Sequence, residues 1–103
     1  MGPLALRVES DRKVDSTFLV SLMRSALERE RRMLIQGIER TKQELARYER
    51  KYGMTSEQFY ERFSAGDGLE DSEDFISWAG EYEILELLRE KQRQLEGVHV
   101  HAG

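Results

Sequence analysis

The 103-residue sequence contains no cysteine and only one proline, and these two shortages exclude several classes of protein. Without cysteine the chain forms no disulfide, no thiolate metal site and no cysteine nucleophile, as suits a reducing compartment. A single proline and the lack of any low-complexity tract argue against a disordered chain. Stability must therefore come from the packing of side chains.

Long apolar runs are missing as well. No stretch approaches the roughly 20 residues that a membrane-spanning helix needs. The N-terminus lacks the basic start, apolar run and small-residue cleavage site of a signal peptide. With 39% hydrophobic and 35% charged residues, the composition is that of a soluble globular chain. We expect a single cytoplasmic domain with no membrane association.

Residues that perform catalysis or hold cofactors are scarce. No histidine accompanies a serine and an acid on a structured element, and there is no glycine-rich phosphate loop. The acidic run over residues 67–74 lacks the spacing of a calcium-binding EF-hand loop. His99 and His101 lie in a terminal tail with no third metal ligand in view. We expect no enzymatic activity, no metal and no cofactor.

Apolar spacing and capping residues predict three helices. The first helix begins at Asp15 or Ser16 and ends at Tyr52. The second begins at a capping box of Thr55 and Gln58 and ends at Ser64. The third begins at Asp71 or Ser72 and ends at Glu96. Gly53 supplies a left-handed stop after the first helix, and Gly97 follows the third. Residues 1–15 form an N-terminal extension or, from the alternation of Leu4, Leu6 and Val8, a short strand. Residues 97–103 form a C-terminal tail.

Apolar stripes on the two long helices predict how they pack. On the first, positions 3 or 4 apart are Leu27, Arg31, Leu34, Ile38, Thr41, Leu45, Tyr48 and Tyr52. On the third they are Phe75, Trp78, Tyr82, Leu85, Leu88, Gln92 and Leu95, with Ile84 and Leu87 broadening the stripe to one side. The sequence therefore predicts an all-α fold, in which residues 16–96 form a long, coiled-coil-like antiparallel hairpin with a short helix at its turn.

Most of the aromatic residues fall around this predicted turn. We expect Tyr52, Phe59, Phe63, Phe75, Trp78 and Tyr82 to form a structural cluster that clamps the short helix to the long ones. Phe59 and Phe63 are four residues apart and share a helix face. Tyr60 is the alternative in this region, since an exposed aromatic residue can anchor a partner.

The start of the first helix extends past the end of the third. A third helix of about 25 residues, roughly 37 Å, covers the first only back to about Leu27. The overhang is apolar and comprises Phe18, Leu19, Leu22, Met23, Ala26 and Leu27. Such a surface is buried against another chain or is folded under by the terminal segments. We expect the first, with the chain forming a dimeric helical bundle.

Charge is divided unequally along the chain. Residues 1–52 carry 12 Lys or Arg against 8 Asp or Glu, whereas residues 53–103 carry 4 against 12. A basic helix beside an acidic one explains this division. Alternatively, the acidic half serves a basic partner, as a mimic of nucleic acid would.

The run KYGMTSEQFYERF over residues 51–63, the Gly-Asp-Gly loop and the run DSEDFISWAGEYEILELL over residues 71–88 resemble a group of small prokaryotic helical proteins. These look like the antitoxin-type partners of toxin–antitoxin pairs. The resemblance implies a helical protein that binds and neutralises a small, basic, often ribonuclease-like toxin. The residues it would carry over are Phe59, Phe63, Phe75 and Trp78, in a role that folds the turn.

Two other functions compete with an antitoxin. One is a self-associating coiled-coil scaffold or adaptor, which the overhang favours. The other is a nucleic-acid-binding regulator, since basic residues such as Arg29, Arg31 and Arg32 line the first helix. Interleaved glutamates are typical of a solvated helix face instead, and the region of residues 25–32 lacks the break that a ribbon-helix-helix module requires. We therefore expect a protein partner rather than nucleic acid.

Overall fold

The computed structural model describes residues 14–66 and 72–101. They form three α-helices, α1 (Ser16–Tyr52), α2 (Ser56–Ser64) and α3 (Glu73–Glu96), and no strand occurs in these two ranges. The predicted all-α class and the predicted extents of the helices are confirmed. The predicted strand at Leu4, Leu6 and Val8 lies outside the described residues. No helix in the described part of the chain has the length and apolar character needed to span a membrane.

Local capping explains where α1 begins and ends. The Asp15 side chain accepts a hydrogen bond of 2.9 Å from the backbone N–H of Thr17, which satisfies a donor of the first turn. At the other end Gly53 has φ 67°, a left-handed conformation that glycine adopts without a Cβ clash. Its N–H donates to the carbonyl of Glu49 at 2.8 Å. The predicted glycine stop is confirmed, and the chain turns there into α2.

The starts of α2 and α3 are capped as the sequence predicts. Thr55 and Gln58 form a reciprocal capping box, with both backbone-to-side-chain hydrogen bonds at 3.1 Å. Ser72 caps α3 by accepting a hydrogen bond of 3.0 Å from the N–H of Phe75. Two acidic residues, Glu73 and Asp74, follow in the first turn, where carboxylates interact favourably with the helix dipole.

Two ion pairs locate α3 along α1. Lys51 Nζ lies 2.7 Å from Asp74 Oδ2 near the start of α3, and Lys91 Nζ lies 2.9 Å from Glu30 Oε1 toward its end. Residue numbers therefore fall along α1 as they rise along α3. The helices approach closely at Gly37, where a Cβ would lie 3.4 Å from Leu88 Cδ1. Exposed ion pairs of this kind contribute little stability, so the packing depends on the apolar seam.

The seam on α1 is buried where its spacing predicts. Its buried residues are Leu34, Thr41, Leu45 and Tyr48, and the buried residues of α3 are Trp78, Ala79 and Leu85. The remaining predicted seam positions of both helices are partly buried. Thr41 is polar, but its hydroxyl donates to the carbonyl of Gly37 at 2.8 Å. The expected broadening of the α3 stripe is wrong, since Ile84 and Leu87 are 44% and 70% exposed. They lie too far around α3 to face α1.

Candidate protein-interaction site

The six aromatic residues predicted to form the turn come together in one core cluster. Phe59 and Trp78 are its centre: both are fully buried, and their rings stack with centroids 3.8 Å apart. Tyr48 and Tyr52 each stack on Trp78 at 5.7 Å, which brings α1 into the same stack. Burial of rings this large supplies much of the hydrophobic stabilisation of a small domain. The turn is therefore held by its own packing.

A buried hydrogen-bond network joins all three helices inside this cluster. Trp78 Nε1 donates to Ser56 Oγ at 2.9 Å, and Ser56 Oγ and the Ser56 N–H both donate to Glu49 Oε2 at 2.8 Å. No buried side-chain nitrogen or oxygen of the described residues lacks a partner. Sequence reasoning missed Ser56 and Glu49. The available signal was the indole N–H of a core tryptophan, which requires an acceptor when it is buried.

Two tyrosines at the rim of the cluster donate hydrogen bonds to carboxylates. Tyr52 donates a hydrogen bond of 2.5 Å to Asp74 Oδ2, and Lys51 donates to the same oxygen. These two hydrogen bonds hold the Asp74 pKa below its ordinary value. Tyr60 donates to Glu83 Oε1 at 2.7 Å, which raises the Tyr60 pKa, and its ring stacks on Tyr82 at 4.8 Å. Tyr60 is therefore partly buried within the fold. The structure gives no support to its alternative role as an exposed anchor.

The predicted overhang residues differ in exposure. Phe18 and Leu22 are 59% and 50% exposed, and Ala26 is also exposed. The other three predicted interface residues, Leu19, Met23 and Leu27, are partly buried. An exposed phenylalanine and leucine one helical turn apart present a contiguous apolar surface. This surface is the most pronounced apolar feature at the N-terminal end of α1.

The described part of the C-terminal tail lies against the same end of α1. Arg31 Nη2 donates to the carbonyls of Leu95 and Val98 at 3.0 and 3.1 Å, and Arg24 Nε donates to the carbonyl of Val100 at 3.1 Å. The last carbonyls of a helix have no partner within it and carry the negative end of the dipole, so a guanidinium there is stabilising. Sequence reasoning assigned Arg31 to the seam but did not foresee this contact with the tail.

Further exposed apolar residues lie along both long helices. Met33 and Ile35 on α1 are 60% and 56% exposed, and Ile76 on α3 is 58% exposed, in addition to Ile84 and Leu87. The exposed charges on the two helices differ in net sign. On α1 the exposed lysines and arginines outnumber the exposed glutamates 28 and 39, and on α3 the exposed glutamates 73, 83, 86, 90 and 96 outnumber the exposed basic residues 89, 91 and 93. Both helices therefore combine apolar side chains with charge, one basic and one acidic.

Residues 14–66 and 72–101 thus form three helices with an aromatic core and exposed apolar residues on the two long helices. Neither a family model, nor a curated protein, nor a solved structure matches this chain. Its function is therefore inferred from these surfaces and their charges.

Proposed function

We propose that this protein is a non-catalytic protein-binding module, which binds and neutralises a small basic protein in the manner of an antitoxin. Its framework is a coiled-coil-like antiparallel hairpin that assembles into a dimeric bundle. The observation that carries the proposal is the exposure of Phe18 and Leu22 on a helix that extends beyond the packed core. Apolar side chains displayed in this way are typical of protein interfaces.

The acidic half of the chain supports a basic partner. Residues 53–103 carry 12 Asp or Glu against 4 Lys or Arg, and exposed glutamates on α3 lie among the apolar residues Ile76, Ile84 and Leu87. Complementary charge accelerates encounter with a basic protein and orients it. Apolar side chains then hold the complex, because a few buried anchors supply most of the binding energy.

Self-association as a scaffold is the second candidate, and the modest core favours it. Among the described residues only seven hydrophobic side chains are buried, six of them at positions 45–85 around the turn. A small domain without disulfides usually gains further stability from a metal or from oligomerisation. The two candidates are compatible, since a dimer can also bind a toxin.

A nucleic-acid-binding role is less well supported by the contacts. Arg24 and Arg31 donate to carbonyls of the C-terminal tail, so both guanidinium groups already have acceptors within the chain. Arg47 is paired with Glu44 at 2.9 Å and Lys51 with Asp74 at 2.7 Å. A phosphate backbone would have to compete with these partners.

The antitoxin proposal is tested by purifying the tagged full-length chain from its native host and identifying stoichiometric partners by mass spectrometry. We expect one small basic protein, whose expression alone arrests growth and whose effect is relieved by co-expression of this chain. Leu22→Asp should reduce that relief, whereas Gln43→Asp, the same change of charge at an exposed position of α1, should preserve it. Recovery of the chain with no partner, or relief that is insensitive to both variants, would contradict the proposal.

A further inference from the structure

Six exposed apolar residues of α1 and α3 form two stripes; Ile35, which is 56% exposed, lies two residues after Met33 and so points away from it. Leu22 and Met33 are eleven residues apart, and so are Ile76 and Leu87. Eleven residues are close to three full turns, roughly 16 Å, so the members of each pair point the same way. Phe18 lies one turn before Leu22, and Ile84 lies one turn before Leu87. We call Phe18, Leu22 and Met33 the α1 stripe, and Ile76, Ile84 and Leu87 the α3 stripe.

Both stripes border the same flank of the α1–α3 pair. Met33 lies four residues before Gly37, and Ile84 lies four residues before Leu88, so each shares a face with its neighbour. A Cβ on Gly37 would lie 3.4 Å from Leu88 Cδ1, which places these two faces side by side. The ion pair between Glu30 and Lys91, at 2.9 Å, crosses between the helices on this flank as well. Another molecule that covers the flank therefore meets both stripes.

Apart from Glu30 and Lys91, which pair with each other across this flank, the charges considered beside the two stripes differ in sign. Arg29 and Arg40 each lie seven residues, about two turns, after a member of the α1 stripe, and both are exposed. On α3, Glu73 lies three residues before Ile76 and Glu83 lies seven residues after it, and both are exposed. Glu83 also accepts a hydrogen bond from Tyr60, and Glu90, three residues after Leu87, is paired with Arg93 at 2.6 Å. Two α1 stripes would therefore repel each other, as would two α3 stripes. An α1 stripe and an α3 stripe attract each other.

We propose that the occupant of this flank is a second copy of the chain, with the α1 stripe of each copy packed on the α3 stripe of the other. A two-fold axis forms both contacts at once, because each copy presents both stripes on one flank. Four long helices then enclose the six apolar side chains of the two stripes. This inference rests on the self-association proposed above. It adds which helices pair between the two copies and which charges favour that pairing.

A charge-reversal experiment on the full-length chain tests the pairing. One variant carries Arg29→Glu with Arg40→Glu, and the other carries Glu83→Arg with Glu90→Arg. Each homodimer then juxtaposes like charges twice, so sedimentation equilibrium should show dimerisation weakened by about tenfold or more. An equimolar mixture of the two restores attraction at both contacts and should dimerise as the wild type does. A chain that combines all four substitutions should also recover as a homodimer.

The outcomes separate this inference from the proposal beneath it. A wild-type chain that stays monomeric overturns self-association itself. In that case, if Glu83→Arg with Glu90→Arg abolished capture of a basic protein partner, the α3 stripe would be the surface that binds this partner. A wild-type dimer that both reversals leave intact overturns the pairing alone. Failure of the combined chain to recover, with helicity unchanged by circular dichroism, overturns it too. Recovery in the mixture also shows that both variants are folded.

Discussion

The indole N–H of Trp78 donates a 2.9 Å hydrogen bond to Ser56 Oγ, and this contact connects α3 to α2 at the centre of the core. Ser56 in turn donates to the Glu49 carboxylate of α1, so one short chain of polar groups spans the three helices. A buried N–H that loses its acceptor destabilises the folded state by the full desolvation free energy of that group. The network therefore determines the position of α2 relative to α1 and α3, while ring stacking supplies most of the apolar burial.

Ser56→Ala should lower the free energy of unfolding by about 1–3 kcal/mol, because it leaves the Trp78 N–H unsatisfied and removes one donor to Glu49. Urea denaturation followed by circular dichroism measures this loss. Ser77→Ala is the matched control, since Ser77 is exposed, and it should change stability by less than about 0.5 kcal/mol. Equal effects of the two variants would show that the network contributes nothing.

Trp78→Ala should cost about 3–5 kcal/mol of stability, as expected for truncation of a fully buried large aromatic residue. Trp78→Phe keeps a ring against Phe59 but removes the N–H, so we expect a loss between those of alanine and the wild type. Thermal or urea unfolding measures both variants. A phenylalanine variant as unstable as the alanine variant would argue that stacking on Phe59 has little weight.

The sequence predicted the helices well because their signals are local. The capping contacts of Asp15, Thr55 and Ser72 link residues two or three positions apart, and the seam follows from spacing alone. The Trp78–Ser56 contact links residues 22 positions apart, so no local pattern predicts it. The tail contacts of Arg24 and Arg31 link residues still farther apart, 64 to 76 positions.

The outer surface was the harder part to predict from sequence. Ile84 and Leu87 are apolar residues adjacent to the true stripe, and one-dimensional spacing does not show how wide the contact with α1 is. The structure shows that the contact is narrow, because both side chains remain exposed. Exposure of Phe18 and Leu22 agrees with the reasoning from helix length, although that reasoning does not identify what covers them.

Stability should depend on pH in the acid range through Asp74. Its pKa is held below the ordinary value of 3.8 in the folded chain by hydrogen bonds from Lys51 and Tyr52. A carboxyl with a depressed folded pKa contributes stability that is present above its unfolded pKa and is lost as pH falls through the folded one. Asp74→Asn should therefore differ most from the wild type near neutral pH, and the two should converge in strong acid. A gap that is constant with pH would contradict this role.

Gly53→Ala should destabilise the chain by about 1 kcal/mol, because φ at Gly53 is 67° and an L-residue is strained there. Gly80→Ala is the control, and we expect it to change stability in the opposite direction. No atom lies within 4 Å of the added methyl group, so the substitution causes no clash. Because Gly80 lies within α3, the higher helix propensity of alanine should raise stability by up to about 1 kcal/mol. Denaturation curves of both variants measure the contrast. Changes of the same sign would contradict this account of the turn.

The central claim is that association uses the exposed surface of α1 while the aromatic core folds independently of it. Sedimentation equilibrium on the wild type and on Phe18→Asp with Leu22→Asp, at micromolar concentration and with circular dichroism alongside, tests it most directly. The account predicts a dimeric wild type and a monomeric variant of unchanged helicity. A stable, well-folded wild-type monomer, or a variant that associates as the wild type does, would contradict it.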